Sequence, residues 1–277
     1  EEYLEFLINN NEAHLSQEKY FWMADQYPAA HISLRSASPH SVVLQTTIDD
    51  PSASLRASPT PDAIDLITAR NESYLHPGAL PAIKPSAIED DLRRRDFTIN
   101  AMAVRLDGDH FGELIDPLGG QNDLEQKLIR VLHPHSFIDD PTRIFRAIRY
   151  EQRYAFNLEP GTFSLINSES LGVITRLSGE RIRHELDLIF EEENSSQMIL
   201  RAGSLKLFER IHPELPVFNP NYSDFLDMDP TLDIPASRTT MGYMLWLMDL
   251  SENVIMSIAQ RLDFTSDLTY SVWAASQ

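Results

Sequence analysis

Phe137-Ile-Asp-Asp-Pro-Thr-Arg-Ile-Phe-Arg-Ala-Ile-Arg149 is the stretch on which the architecture of this chain turns. Asp140 before Pro141 reads as a helix start. Its carboxylate suits the N-cap, and proline suits the first helical position, where no N–H is needed. At about 100° per residue, Ile144, Phe145 and Ile148 share one side of the helix. Arg143, Arg146 and Arg149 wind along the other. A solvated face normally mixes charge signs. Three arginines without an interleaved acid predict a bound anion, or else carboxylates such as Asp90, Asp91, Glu185 or Asp187 brought up from elsewhere.

The helical period begins after DPLGGQND (116–123) and persists over 123–132, 140–153, 160–168, 178–192, 196–208 and, less regularly, 238–261. The amino side is different. Residues 1–27 read as a helical pair, and 36–62 as Ser-, Pro- and Asp-rich turns around one strand at 41–47. Residues 63–69 read as a second strand able to pair with it as a hairpin. Ser86 and Glu89 form a capping-box pattern ahead of a short helix at 87–94. Residues 97–106 and 110–115 then read as strands joined by a turn at Asp107-Gly108. The pattern predicts an α+β chain, with a mixed sheet and helices first and helices alone afterwards.

Composition narrows the function. The 277 residues are 42% hydrophobic and contain no cysteine, which removes disulfides, thiolate zinc sites and cysteine nucleophiles and fits a reducing, cytoplasmic setting. The formal charge of −19 argues against a protein that coats nucleic acid non-specifically. Yet 13 of the 23 Lys and Arg lie between residues 88 and 190, and all but Lys127 are Arg. An anionic ligand is expected there, because the guanidinium fork matches phosphate.

Asp140 and Arg143 sit one turn apart, an acceptor beside a donor fork. That pair complements the amine and ring nitrogen of adenine or cytosine, whereas guanine and uracil present the opposite pattern. Around it, RRDFTINAMA (94–103), DPLGG with Asp123, DDPTRIFRAIR (139–149) and GERIRHEL (179–186) fall in order. These four segments, with IDLITARNESYLHPGALP (64–81) before them, resemble the motifs of the class II tRNA nucleotidyltransferase and poly(A) polymerase family over roughly residues 60–215.

The resemblance implies a polymerase-β-like head at 1–135, a helical neck at 136–215 and the start of a helical body at 216–277. It implies ATP and CTP as substrates, Mg2+ as cofactor, and a tRNA or other RNA 3′ end as partner. Carried onto this sequence, Arg95 and Asp96 would sense the ribose 2′-hydroxyl, with Asn100 supporting them. Asp140 and Arg143 would read the base, and Arg146 and Arg149 would hold the triphosphate. Glu180, Arg181 and Glu185 would buttress the base-reading helix.

One departure counts against full activity. The family's Gly-Gly turn and Asp-x-Asp metal pair have no match ahead of residue 94. Asp49-Asp50 is adjacent rather than spaced, and Asp227-Met-Asp229 lies past the neck. Asp65 stands where some members place a third carboxylate, a catalytic and metal-binding role. Phosphoryl transfer of this kind leans on metal charge. The chain is therefore expected to be the head and neck of a template-independent RNA nucleotidyltransferase, cut upstream of or inside the metal motif. The alternative is a non-catalytic nucleotide- or RNA-binding relative whose metal site has decayed, and a helical interaction protein comes third. His133 and His135 read as loop histidines, and residues 241–248 as core.

Overall fold

The computed structural model describes residues 30–38, 41–48, 69–79, 81–105, 108–223 and 237–277. The expected helical pair at 1–27, Asp65, Asp49, Asp50, Asp227 and Asp229 lie outside them. Two compact units divide the chain. One comprises residues 1–70, 85–87 and 104–113, and the other residues 71–84, 88–103 and 114–277.

In the first unit, β1 (Ala30–Ser38) pairs antiparallel with β2 (Ser41–Ile48), with Leu34 opposite Leu44 and an irregularity between Ser36 and Ser38. The strand expected at 41–47 is there, but its partner precedes it, mostly in residues to which sequence reading assigned no element. Residues 63–68, the expected partner, are not among those described.

The second unit carries the helices. β3 (Arg70–Ser73) pairs with β4 (Ala82–Pro85), and α1 (Ile88–Arg93) follows. The expected strand at 97–106 is instead a 3-10 turn at Thr98–Asn100 followed by a short β5 (Ala103–Val104). The cause is local: Asn100 N–H donates to the Phe97 carbonyl (3.0 Å) and its side chain to Asp96 (2.9 Å), which curls the chain. Residues 108–110, in the first unit, likewise form a 3-10 turn, and β6 (Leu114–Ile115) returns to the second.

α2 (Gly120–Glu125) is shorter than the helix expected at 123–132. Lys127 takes φ 56°, and β7 (Leu128–Ile129) then pairs in parallel with β8 (Asn157–Leu158), placing a short strand inside the region read as purely helical. The helices after it are α3 (Ser136–Asp139), α4 (Thr142–Arg153), α5 (Pro160–Ser164), α6 (Ser168–Ile174), α7 (Gly179–Phe190), α8 (Ser195–Ser204) and α9 (Phe208–Ile211). The chain closes with α10 (Arg238–Leu247), α11 (Glu252–Arg261) and α12 (Ser266–Ala275), the last of which sequence reading missed.

α4 is the hub of the core. Ile144, Phe145, Ala147 and Ile148 are fully buried, against Ile182, Leu186 and Ile189 of α7 and Met198 and Ile199 of α8 in one cluster. The 241–248 segment contributes Tyr243, Trp246 and Leu247 to that cluster, as expected of core. Caps fix the helix starts: Ser178 accepts from Arg181 N–H (3.3 Å), and Asn167 and Ser170 form a reciprocal capping box.

Two glycines separate packing from propensity. A Cβ on Gly242 of α10 would stand 2.3 Å from the Phe190 ring, whereas one on Gly172 of α6 meets nothing within 4 Å. Gly242→Ala should therefore lose about 1–3 kcal/mol through overpacking. Gly172→Ala should gain up to about 1 kcal/mol from helix propensity. Denaturant midpoints of the two variants check both signs.

Candidate functional site

The second unit contains a cavity of about 600 Å³, within the range of small-molecule sites. α4 supplies its floor through Arg143, Arg146 and Tyr150, and the helix entry adds Asp140 and Thr142. The turn after α1 contributes Arg94, Arg95, Asp96 and Asn100, the end of β3 adds Glu72 and Tyr74, and α7 adds Glu185.

Asp140 does cap α4, but from just outside it. Its Oδ1 accepts from Thr142 N–H (3.2 Å) and the Thr142 hydroxyl (2.7 Å), and also from Arg181 Nη2 (3.0 Å). Oδ2 accepts no hydrogen bond among the described residues. Arg143 is 5% exposed and donates to Ser136 Oγ (2.6 Å) and the Arg94 carbonyl (2.8 Å). Those two bonds leave further N–H groups of the fork uncommitted among the described residues. Arg94 is itself clamped, by Asp91 (2.7 Å) and Glu72 (2.8 Å), so the carbonyl that orients Arg143 is held still.

Arg146 donates through Nε to Asp96 Oδ2 (2.7 Å) and through Nη2 to the Tyr150 hydroxyl (2.9 Å). Burial favours the neutral guanidine, but the Asp96 charge and Tyr150 outweigh it and raise the Arg146 pKa. Asp96 Oδ1 is taken by Phe97 N–H and by Asn100 (2.9 Å each). The turn that carries Asn100 is anchored from behind: Thr98 donates to the buried Asp123 (2.6 Å), which also accepts from Arg130 (2.9 Å). Asp116 accepts from Gly120 N–H (2.7 Å) and Gln121 N–H (2.9 Å). Burial pushes its carboxyl up, but these backbone donors win and hold it below the usual range.

Of the residues singled out from sequence, Arg95, Asp96, Asn100, Asp140, Arg143, Arg146 and Glu185 all line this cavity. Arg149 does not. It is 8% exposed and pairs with Glu192 (3.3 Å) and Glu185 (3.8 Å). Arg181 stands behind the cavity, bridging Asp140 to the Gly78 carbonyl (2.6 Å), and Glu180 is exposed in the first turn of α7. Asp65 lies outside the described residues. Sequence reading missed Glu72, Tyr74, Arg94, Thr142 and Tyr150. Tyr150, one helical turn beyond Arg146, is the one among them that the sequence pattern points to.

Burial also acts on Tyr74 and Glu185. Burial pushes the Tyr74 hydroxyl up to about 12, against the pull of Arg143. Glu185 is raised by burial, with Arg146, Arg149 and His184 opposing, and its Oε2 is buried with no hydrogen-bond partner among the described residues. A carboxyl raised on folding contributes stability that is present below its unfolded pKa and lost as pH rises through the folded one. Glu185→Gln should remove that loss. The stability of the variant relative to the parent should therefore rise as pH is taken from about 4 to 7, read as the difference between their unfolding midpoints.

Comparison with known proteins places this geometry. Residues 40–130 match the family model described as the poly A polymerase head domain, and residues 155–218 match that of the probable RNA and SrmB-binding site of polymerase A. The chain is 47% identical over 165 residues to an A-adding tRNA nucleotidyltransferase of Geobacter sulfurreducens, covering 59% of this chain and 19% of the relative. It is 42% identical over 151 residues to the A-adding tRNA nucleotidyltransferase of Halalkalibacterium halodurans, covering 53% and 35%. Among solved structures, a CCA-adding enzyme in apo form II superposes with TM-score 0.69 at 29% identity, over 92% of this chain and 58% of that one. The Thermotoga maritima CCA-adding enzyme complexed with tRNA superposes with TM-score 0.62 at 28% identity, over 92% and 57%. The chain thus spans about a fifth to a third of these two curated relatives.

Proposed function

From the premise that the chain belongs to the class II tRNA nucleotidyltransferase and poly(A) polymerase family, we propose that its cavity selects ATP or CTP for template-independent addition to a tRNA 3′ end. The observation that carries this reading is the placement of Asp140, Arg143 and Arg146 on one wall of one cavity. Asp140 Oδ2 takes the exocyclic amine and Arg143 gives to the ring nitrogen, so the protein itself is the template. Arg146, one turn on, meets the phosphates, and Asp96 faces the ribose. Arg149 supports this arrangement from within the protein: with Glu185 and Glu192 it fixes α4 against α7, rather than reaching the ligand.

The RNA partner is read from the kinship with A-adding enzymes and from the likeness to a CCA-adding enzyme complexed with tRNA. In this reading residues 1–135 serve as head, 136–215 as the neck that reads the base, and 216–277 as the start of the body. The family also implies Mg2+. Among the described residues no group of three or more His, Asp or Glu could hold a metal ion, so no step is assigned to one. Among them too, no helix is long and apolar enough to cross a membrane.

Equilibrium titration with the four nucleoside triphosphates tests the assignment. ATP and CTP should bind more tightly than GTP and UTP, by about 1–3 kcal/mol for the bidentate contact. Asp140→Ala should erase that preference. Four equal affinities in the parent would remove Asp140 and Arg143 from the base-reading role. The variant also loses about 1 kcal/mol of helix capping, which its unfolding midpoint measures separately.

A further inference from the structure

The carboxylate assigned to the ribose and the guanidinium assigned to the phosphates occupy each other. Asp96 is 8% exposed and both of its oxygens are committed. Oδ1 holds Phe97 N–H and Asn100, and Oδ2 holds Arg146, with Nε at 2.7 Å and Nη2 at 2.6 Å. The Oδ1 bonds shape the turn that carries Asn100, so Oδ2 is the atom a sugar hydroxyl can reach. It can do so only after Arg146 has moved.

A guanidinium does not abandon a buried carboxylate for nothing, because each would be left as an uncompensated charge. It leaves when another anion takes it. Besides the ligand, the cavity offers a resident candidate in Glu185, 7% exposed, whose buried Oε2 has no hydrogen-bond partner among the described residues and stands 3.8 Å from Arg149. Glu185 also lines the cavity and attracts Arg146 electrostatically. An arginine drawn toward phosphate thus moves within a cavity that also presents a carboxylate held by a long ion pair to Arg149.

Resting on the nucleotide-site reading, in which Asp96 faces the ribose and Arg146 the phosphates, we propose that Arg146 is a latch on ribose selection. A triphosphate draws it off Asp96 and frees Oδ2 to accept the 2′-hydroxyl. Nucleosides leave the latch closed, and Asp96 is then silent toward the sugar. Phosphate binding and ribose recognition become thermodynamically coupled, each strengthening the other by the same factor. Arg146 in this scheme is a positioning residue for Asp96 as well as a phosphate ligand.

Dissociation constants for ATP, dATP, adenosine and 2′-deoxyadenosine, measured on the same protein, test this. In the parent, ATP should be favoured over dATP by about tenfold, the worth of one hydrogen bond to a charged acceptor, while the two nucleosides bind within about twofold of each other. Arg146→Met should weaken ATP yet give adenosine the tenfold advantage over 2′-deoxyadenosine that it lacked. Saturating the parent with inorganic tripolyphosphate should do the same without any substitution, which keeps the test decisive if the variant fails to fold. An arginine that merely stiffens α4 would move none of these ratios. Equal ribose preference for ATP and adenosine in the parent, with ATP still bound selectively over GTP, overturns the latch and leaves the nucleotide site standing. Absence of binding by all four ligands overturns both.

Discussion

A carboxylate buried at a cavity wall, Asp96, sets the terms for the rest of the site. Its two oxygens gather a backbone N–H, an amide and a guanidinium, and in doing so they tie the turn at residues 96–100 to α4. The turn at Thr98–Asn100 is curled by one oxygen. The helix α4 is fastened by the other, through Arg146. Asp96 is buried but the Arg146 side chain is 34% exposed, so separating them costs less than the roughly 3–5 kcal/mol of a fully buried pair. The geometry of the pocket is therefore held by the same charges that would meet a ligand.

The same logic accounts for the arginine stripe on α4. Sequence reading offered an external anion or internal carboxylates as alternatives, and the protein uses internal carboxylates without giving up the first option. Arg149 and Arg153 both pair with Glu192, so this end of the stripe is satisfied within the protein. Arg143 donates its hydrogen bonds to a hydroxyl and a carbonyl, and among the described residues none goes to a carboxylate. It is neutralised least, and it faces the cavity. The gradient along one helix, from carboxylate-paired to neutral-paired, separates the residues that build the wall from those able to read a ligand.

Much of this is legible in the amino-acid sequence. The apolar side of α4 and the sequence of helices follow from a 3.6-residue period over long stretches, where local pattern and burial agree. Short segments were less so. Phe97, Ile99, Ala101 and Ala103 alternate like a strand, yet Asp96 and Asn100 bend the chain between them. EQKLIR (125–130) contains no helix breaker, but Leu128 and Ile129 gain a parallel partner near residue 157 that no local signal announces. The site showed the same division. Charged residues in motifs were found from sequence, whereas Glu72 and Tyr74 reach the cavity only because β3 ends beside it.

Acidity and anion binding are then compatible. A chain with net charge −19 should repel a triphosphate at long range. What it offers at short range is a set of arginines already oriented by carboxylates. Arg94 is clamped by Asp91 and Glu72, and Arg146 by Asp96. Binding an anion in such a site exchanges one pairing for another instead of adding a new one. Exchange yields modest affinity, because the resident pair must be broken. It also makes affinity depend on geometry, because only a ligand whose charges fall where the carboxylates lay recovers the loss. Non-specific polyanions gain little from a cation that is already satisfied. On the proposed reading, selectivity for the ligand comes from the negative charge as much as from the positive.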